Sequence, residues 1–144
     1  LFYVETLFQA IMDNLPAVMA IRDKEGRYEL VNKSYEKTYG VSNEEIRGKT
    51  VYDMFAKEHA ETILAMERRV IETGVAVIEE QPAAPVGDRK GTLISIRFPI
   101  PDRDGEINRV GTIATDISAR KQVEEALRFA KEEAEMANQA KSPE

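Results

Sequence analysis

A chain of 144 residues has room for one core of ordinary size, about 100 residues, with helical extensions at its ends. Its composition, 42% hydrophobic and 32% charged, is that of a globular protein, and its longest apolar run, Ala17-Val18-Met19-Ala20-Ile21, falls far short of the ~20 residues that cross a bilayer. The absence of cysteine removes disulfides, thiolate chemistry and cysteine-bound zinc and suits a cytoplasmic setting, while a net charge of -6 with only short basic pairs argues against nucleic acid as a partner.

In chain order, Val4, Leu7, Phe8, Ile11 and Leu15 recur at helical spacing and Pro16 stops the pattern, which predicts an amphipathic helix over residues 1–15. Ala17 to Arg22 and Arg27 to Val31 are β-prone runs joined by Asp23-Lys24-Glu25-Gly26, whose glycine supplies the positive φ of a tight hairpin. Asn32 is placed to cap a short helix ended by Gly40. Ser42-Asn43-Glu44-Glu45 reads as a capping box for a second helical turn ended by Gly48, and Thr50 to Phe55 reads as a third. Lys57 to Thr73 predicts a longer helix with Ile63, Met66 and Val70 on one side and Gly74 as its stop. Val75 to Glu80 and Thr92 to Ile100 are strand-like, divided by a loop over Gln81 to Gly91. Asp102-Arg103-Asp104-Gly105 is a second hairpin turn into a last strand over Ile107 to Thr115. The order predicts an α+β domain: a five-stranded antiparallel sheet with short helices on one face, flanked by N- and C-terminal helices.

Five signals in this order, Leu30-Val31-Asn32, Tyr39-Gly40-Val41-Ser42, Ile46-Arg47-Gly48-Lys49, Asp102-Arg103-Asp104-Gly105 and Gly111 through Asp116-Ile117-Ser118, make residues 16–117 resemble the PAS sensory domain. Residues 118–144 are similar to the signalling helix that follows such domains, and Ala137-Asn138-Gln139-Ala140-Lys141-Ser142 is similar to the approach to the phosphoacceptor segment of sensor histidine kinases. The resemblance implies a module that catalyses nothing itself and relays a signal to a covalently linked output domain, a two-component histidine kinase or alternatively a cyclic-dinucleotide synthase or hydrolase. A ligand-free protein-interaction and dimerisation domain is the rival reading. The opening at Leu1 without a methionine and the ending at Pro143-Glu144 are read as cuts from a longer chain.

The family's cavity lies between sheet and helices, which places Tyr39, Met54, Ile63, Met66, Val70, Phe98, Thr112 and Ala114 around it. Such a lining suits a small, largely apolar ligand, and the same residues also make an ordinary filled core. Haem-binding relatives take a histidine from the long helix. That ligand would fall near Ile63, about one turn beyond His59, which itself is expected to be exposed among Lys57, Glu58 and Glu61. Photochemical flavin relatives need a cysteine, and Ala114 stands where they place a glutamine, so no haem, flavin or metal is expected. Asp102 and Asp104 are turn residues without the remaining ligands of a calcium loop.

At the end of the last strand, Asp116, Ile117 and Ser118 form the junction with the terminal helix. The carboxylate favours a helix N-terminus and reaches towards Arg120, and the Ser118 hydroxyl is suited to capping. Beyond it Val123, Leu127, Ala130, Ala134 and Ala137 alternate spacings of four and three, a coiled-coil seam that Lys141 breaks. The seam predicts a homodimer through the terminal helices, shallow because alanines bury little area.

Overall fold

The hairpin and cap signals direct the chain into 11 elements in the computed structural model, which describes residues 2–82 and 91–141. Of the loop expected over Gln81 to Gly91, residues 83–90 lie outside the described residues, and Gln81 and Pro82 belong instead to the preceding strand, paired with Leu93 and Thr92. Helix α1 (Phe2–Asn14) precedes strands β1 (Val18–Asp23) and β2 (Tyr28–Val31), and helices α2 (Lys33–Tyr39), α3 (Asn43–Ile46), α4 (Val51–Met54) and α5 (Lys57–Thr73) follow. Strands β3 (Val77–Pro82), β4 (Thr92–Pro101) and β5 (Ile107–Asp116) then lead into α6 (Ser118–Lys141). The strands form one antiparallel sheet in the order β2-β1-β5-β4-β3, the five-stranded α+β fold expected from the sequence. No described helix is long and apolar enough to cross a membrane.

Local chemistry sets the boundaries. Gly26 turns the first hairpin at φ 84°, with its N–H donating to the Asp23 carbonyl at 3.0 Å, and Asp23 Oδ1 accepts from the backbone of Glu25 and Arg27. Ser42 Oγ accepts from Glu45 N at 3.0 Å to start α3, and the Asp102 carboxylate accepts from Asp104 N, Glu106 N and Asn108 Nδ2 to hold the second hairpin. Asn32 does more than cap α2. It is buried, its Oδ1 accepts from Met19 N and Tyr35 N at 3.0 Å each, and its Nδ2 donates to the carbonyls of Met12 (3.1 Å) and Ala17 (2.9 Å). One side chain thus ties the end of α1, the start of β1 and the start of α2 together.

The main core lies between the inner face of the sheet and the helices, around Ala20, Tyr28, Val31, Tyr35, Ile46, Val51, Ala60 and Ile63. Strand alternation sends Val18, Ala20 and Arg22 of β1, Val110, Thr112 and Ala114 of β5, and Ser95 and Arg97 of β4 to this inner face. The outer face carries two apolar rows across the strands, Leu30–Ile21–Gly111–Phe98 and Met19–Ile113–Ile96–Ile78. Within the first, the Phe98 ring lies on Gly111, where an added Cβ would stand 2.5 Å from Cε2 and overlap Cζ still more closely. Gly111→Ala is therefore expected to cost about 1–3 kcal/mol by overpacking. Urea unfolding measures it, and adding Phe98→Leu should recover part of the loss, because the two sites share one contact.

Candidate functional site

A partly open cavity of about 40 Å³ lies between the sheet and the helical layer. Val18, Ala20 and Arg22 of β1 and Leu93, Arg97, Thr112 and Ala114 of β4 and β5 form its floor. Tyr35 and Tyr39 of α2, Phe55 just after α4, and His59 and Ile63 of α5 form its wall. An aromatic run leads along that wall: the Tyr35–Tyr39, Tyr39–Phe55 and Phe55–His59 ring centroids are 4.5, 5.4 and 5.1 Å apart.

Four of the eight lining residues expected from the sequence, Tyr39, Ile63, Thr112 and Ala114, lie on this pocket. The other four do not. Met54 packs against the main core, Val70 is buried two helical turns beyond Ile63, and the Met66 sulfur accepts from Arg97 Nη1 at 3.6 Å. Phe98 points to the outer face, because β4 runs in the phase that turns Ser95 and Arg97 inward. His59, expected to be exposed, is half-buried in the pocket wall.

Sequence reasoning missed the charged floor. Arg22, Glu67 and Arg97 are each 3% exposed. Arg22 Nε donates to Glu67 Oε2 at 2.8 Å, its Nη2 donates to the same oxygen, and its guanidinium lies 4.8 Å from the Tyr28 ring centroid. Thr112 Oγ1 is 3.5 Å from that oxygen, and the Tyr28 and Tyr35 hydroxyls share a 2.6 Å hydrogen bond beside it. Burial works against the Arg22 charge, but Glu67, together with Tyr28 and Tyr35, raises the guanidinium pKa above its ordinary value. Burial, only partly opposed by the Glu67 charge, lowers the Arg97 pKa. Burial first, and the Arg97 charge second, hold the His59 imidazole below its ordinary pKa. Burial raises the Tyr35 phenol. The signal for Glu67 was present in the spacing, since it falls between Ile63 and Val70 at intervals of four and three on the buried stripe of α5.

At the other end of β5, the Asp116 carboxylate accepts from Ser118 N at 2.8 Å and so caps the first turn of α6. The Ser118 hydroxyl, expected as the cap, instead accepts from Thr92 N at 3.0 Å, and Ile117 N donates to the Thr92 carbonyl at 2.9 Å. Arg120, expected to reach Asp116, pairs along the helix with Glu124 at 3.0 Å. Lys121 Nζ meets Glu80 Oε1 at 2.6 Å, adding a tie to β3. The junction thus binds the root of α6 to both β4 and β3. Asp116→Ala is expected to cost about 0.5–2 kcal/mol, the range of a lost cap. Hydrogen exchange should report that loss in the first turn of α6 and leave the sheet protected.

The seam positions Val123, Leu127, Ala130, Ala134 and Ala137 all lie on exposed surface of α6, with Val123 59% and Leu127 66% exposed. On α1, Val4, Leu7, Phe8 and Ile11 are exposed as well, and Met12 alone of that helix is buried among the described residues.

A protein-family model described as "PAS fold" matches residues 12–122. Over 139 residues the chain is 30% identical to the virulence sensor protein BvgS of Bordetella pertussis, covering 93% of this chain and 11% of that protein. It is 24% identical over 124 residues to a diguanylate cyclase of Vibrio cholerae, covering 85% of this chain and 39% of the cyclase. The solved PAS domain of B. pertussis BvgS superposes with a TM-score of 0.67 at 25% identity, over 91% of this chain and 98% of that one. The chain thus spans a small part of the full-length relatives it matches.

Proposed function

We propose that this chain, which belongs to the PAS fold family, is the sensory and dimerising module of a longer cytoplasmic signalling protein and relays occupancy of its pocket through α6 to an output domain. One observation carries this reading. Helix α6 is 24 residues long, hydrogen-bonded at its root to β4 and paired to β3, yet its apolar positions are turned to solvent, the design of an element whose packing partner is another chain. A two-component histidine kinase is the first choice of output, supported by the match to a sensor protein over nearly the whole of this chain. A cyclic-dinucleotide synthase is the second, supported by the cyclase relative.

The module itself supplies no chemistry in this reading. Its pocket holds a ligand, and its two terminal helices hold a second copy, with the apolar outer rows of the sheet available to the exposed face of α1. Sedimentation across a concentration series tests the dimer: a parallel dimer is expected, weakened by Leu127→Glu, and a strictly monomeric species at high micromolar concentration overturns it. In the full-length parent, Asp116→Ala and Ser118→Ala should alter stimulus-dependent output while the domain stays folded. Unchanged output in both removes the junction from the relay.

A further inference from the structure

The inner face of the sheet buries two guanidinium groups and one carboxylate. Glu67 is taken by Arg22, whose Nε and Nη2 both donate to it. Arg97 has no carboxylate oxygen of a described residue within 4.0 Å. Its Nη1 donates to Ser95 Oγ at 2.8 Å and to the Met66 sulfur, and its Nε is buried without a partner among the described residues. Glu67 and, more weakly, Glu79, half-buried on neighbouring β3, act on it only through space. His59 beside it, held below its ordinary pKa by burial, offers no counter-charge.

A buried cation without its own anion is costly, and an apolar side chain at this position would serve a filled core better. A guanidinium presents donors in a fixed fork that matches a carboxylate, and Arg97 lines the floor of the pocket.

We propose that the pocket is a receptor site for a small monocarboxylate, whose carboxylate pairs with Arg97 and whose apolar body lies against Tyr39, Phe55, Ile63 and Ala114. The proposal rests on the ligand-sensing reading and departs from the expected apolar ligand in one respect, the single negative charge. One unpaired cation matches one charge. A phosphate monoester, with nearly two charges and three acceptor oxygens, would need donors that an aromatic and aliphatic wall does not supply.

The test is a titration of residues 1–144, followed by amide chemical shifts, with isobutyrate and benzoate against isobutyramide and benzamide at neutral pH. The acids are expected to shift the amides of Ile63, Thr112 and Ala114 and to bind about tenfold or more tightly than the matched amides, the margin of a charge-assisted pair over a neutral one. Arg97→Met should abolish that margin and leave amide binding intact, and Arg97→Lys should keep part of it. In the absence of probe Arg97→Met should melt at least as high as the parent, which confirms folding and separates a binding residue from a structural one. Equal binding of acids and amides, or acid binding that survives in folded Arg97→Met, overturns the monocarboxylate site while leaving the pocket a ligand site. Absence of shifts with either set at high millimolar concentration overturns the ligand-sensing reading as well.

Discussion

Glu67→Ala is expected to remove about 3–5 kcal/mol of folding stability, the cost of breaking a buried ion pair from one side. The substitution strands the Arg22 guanidinium in a site where it is 3% exposed, and it withdraws the carboxylate that acts most strongly on Arg97 at the same time. Two buried cations would then face each other across the inner sheet without an anion. A domain of this size holds about 5–15 kcal/mol in total, so the variant should sit near the edge of folding at room temperature. Glu67→Gln keeps an oxygen that accepts from Arg22 and should lose less, and the double variant Arg22→Met/Glu67→Leu should recover much of the loss because it removes the charges with their partner. Urea denaturation of the four proteins measures these differences. A loss in Glu67→Ala below that of an exposed ion pair, about 1 kcal/mol, would mean that water reaches the pair.

For Asn32→Ala the expected loss is about 2–4 kcal/mol, more than a cap alone, because four hydrogen bonds go at once and buried backbone groups are left unsatisfied. The amides of Met19 and Tyr35 lose their acceptor, and the carbonyls of Met12 and Ala17 lose their donor. Asn32→Asp distinguishes the two halves of the job, since a carboxylate still accepts from the amides and repels the carbonyls. The consequence reaches α1, whose carbonyl at Met12 is held by this side chain. Hydrogen exchange should rise along α1 in both variants, and in the alanine variant at the start of α2 as well. If α1 retains its protection in folded Asn32→Asp, other contacts anchor that helix.

These expectations divide along a line that the residues themselves draw. Element type and order were readable from the amino acids alone, because they depend on local chemistry: the helical spacing of Ile63 and Val70, the cap at Ser42, the positive-φ glycine at position 26, the Asp102 turn, and the alternation of β5. The motifs around Asn32 and Asp116-Ile117-Ser118 placed the family for the same reason, being short segments whose roles close within a few residues. Which residues share the pocket was decided only in three dimensions. In β4 the apolar Ile94, Ile96 and Phe98 alternate with Leu93, Ser95 and Arg97, and an isolated strand gives its hydrophobic set no reason to face away from the helices. Pairing with β5 sets Phe98 on Gly111 on the outer face. Inside, Glu67, 45 residues from Arg22 in sequence, pairs with it, and the same register turns Ser95 and Arg97 inward. Sequence period ranks side chains by their own hydrophobicity. The fold ranks them by the partners it brings, as the buried pair of Arg22 and Glu67 shows.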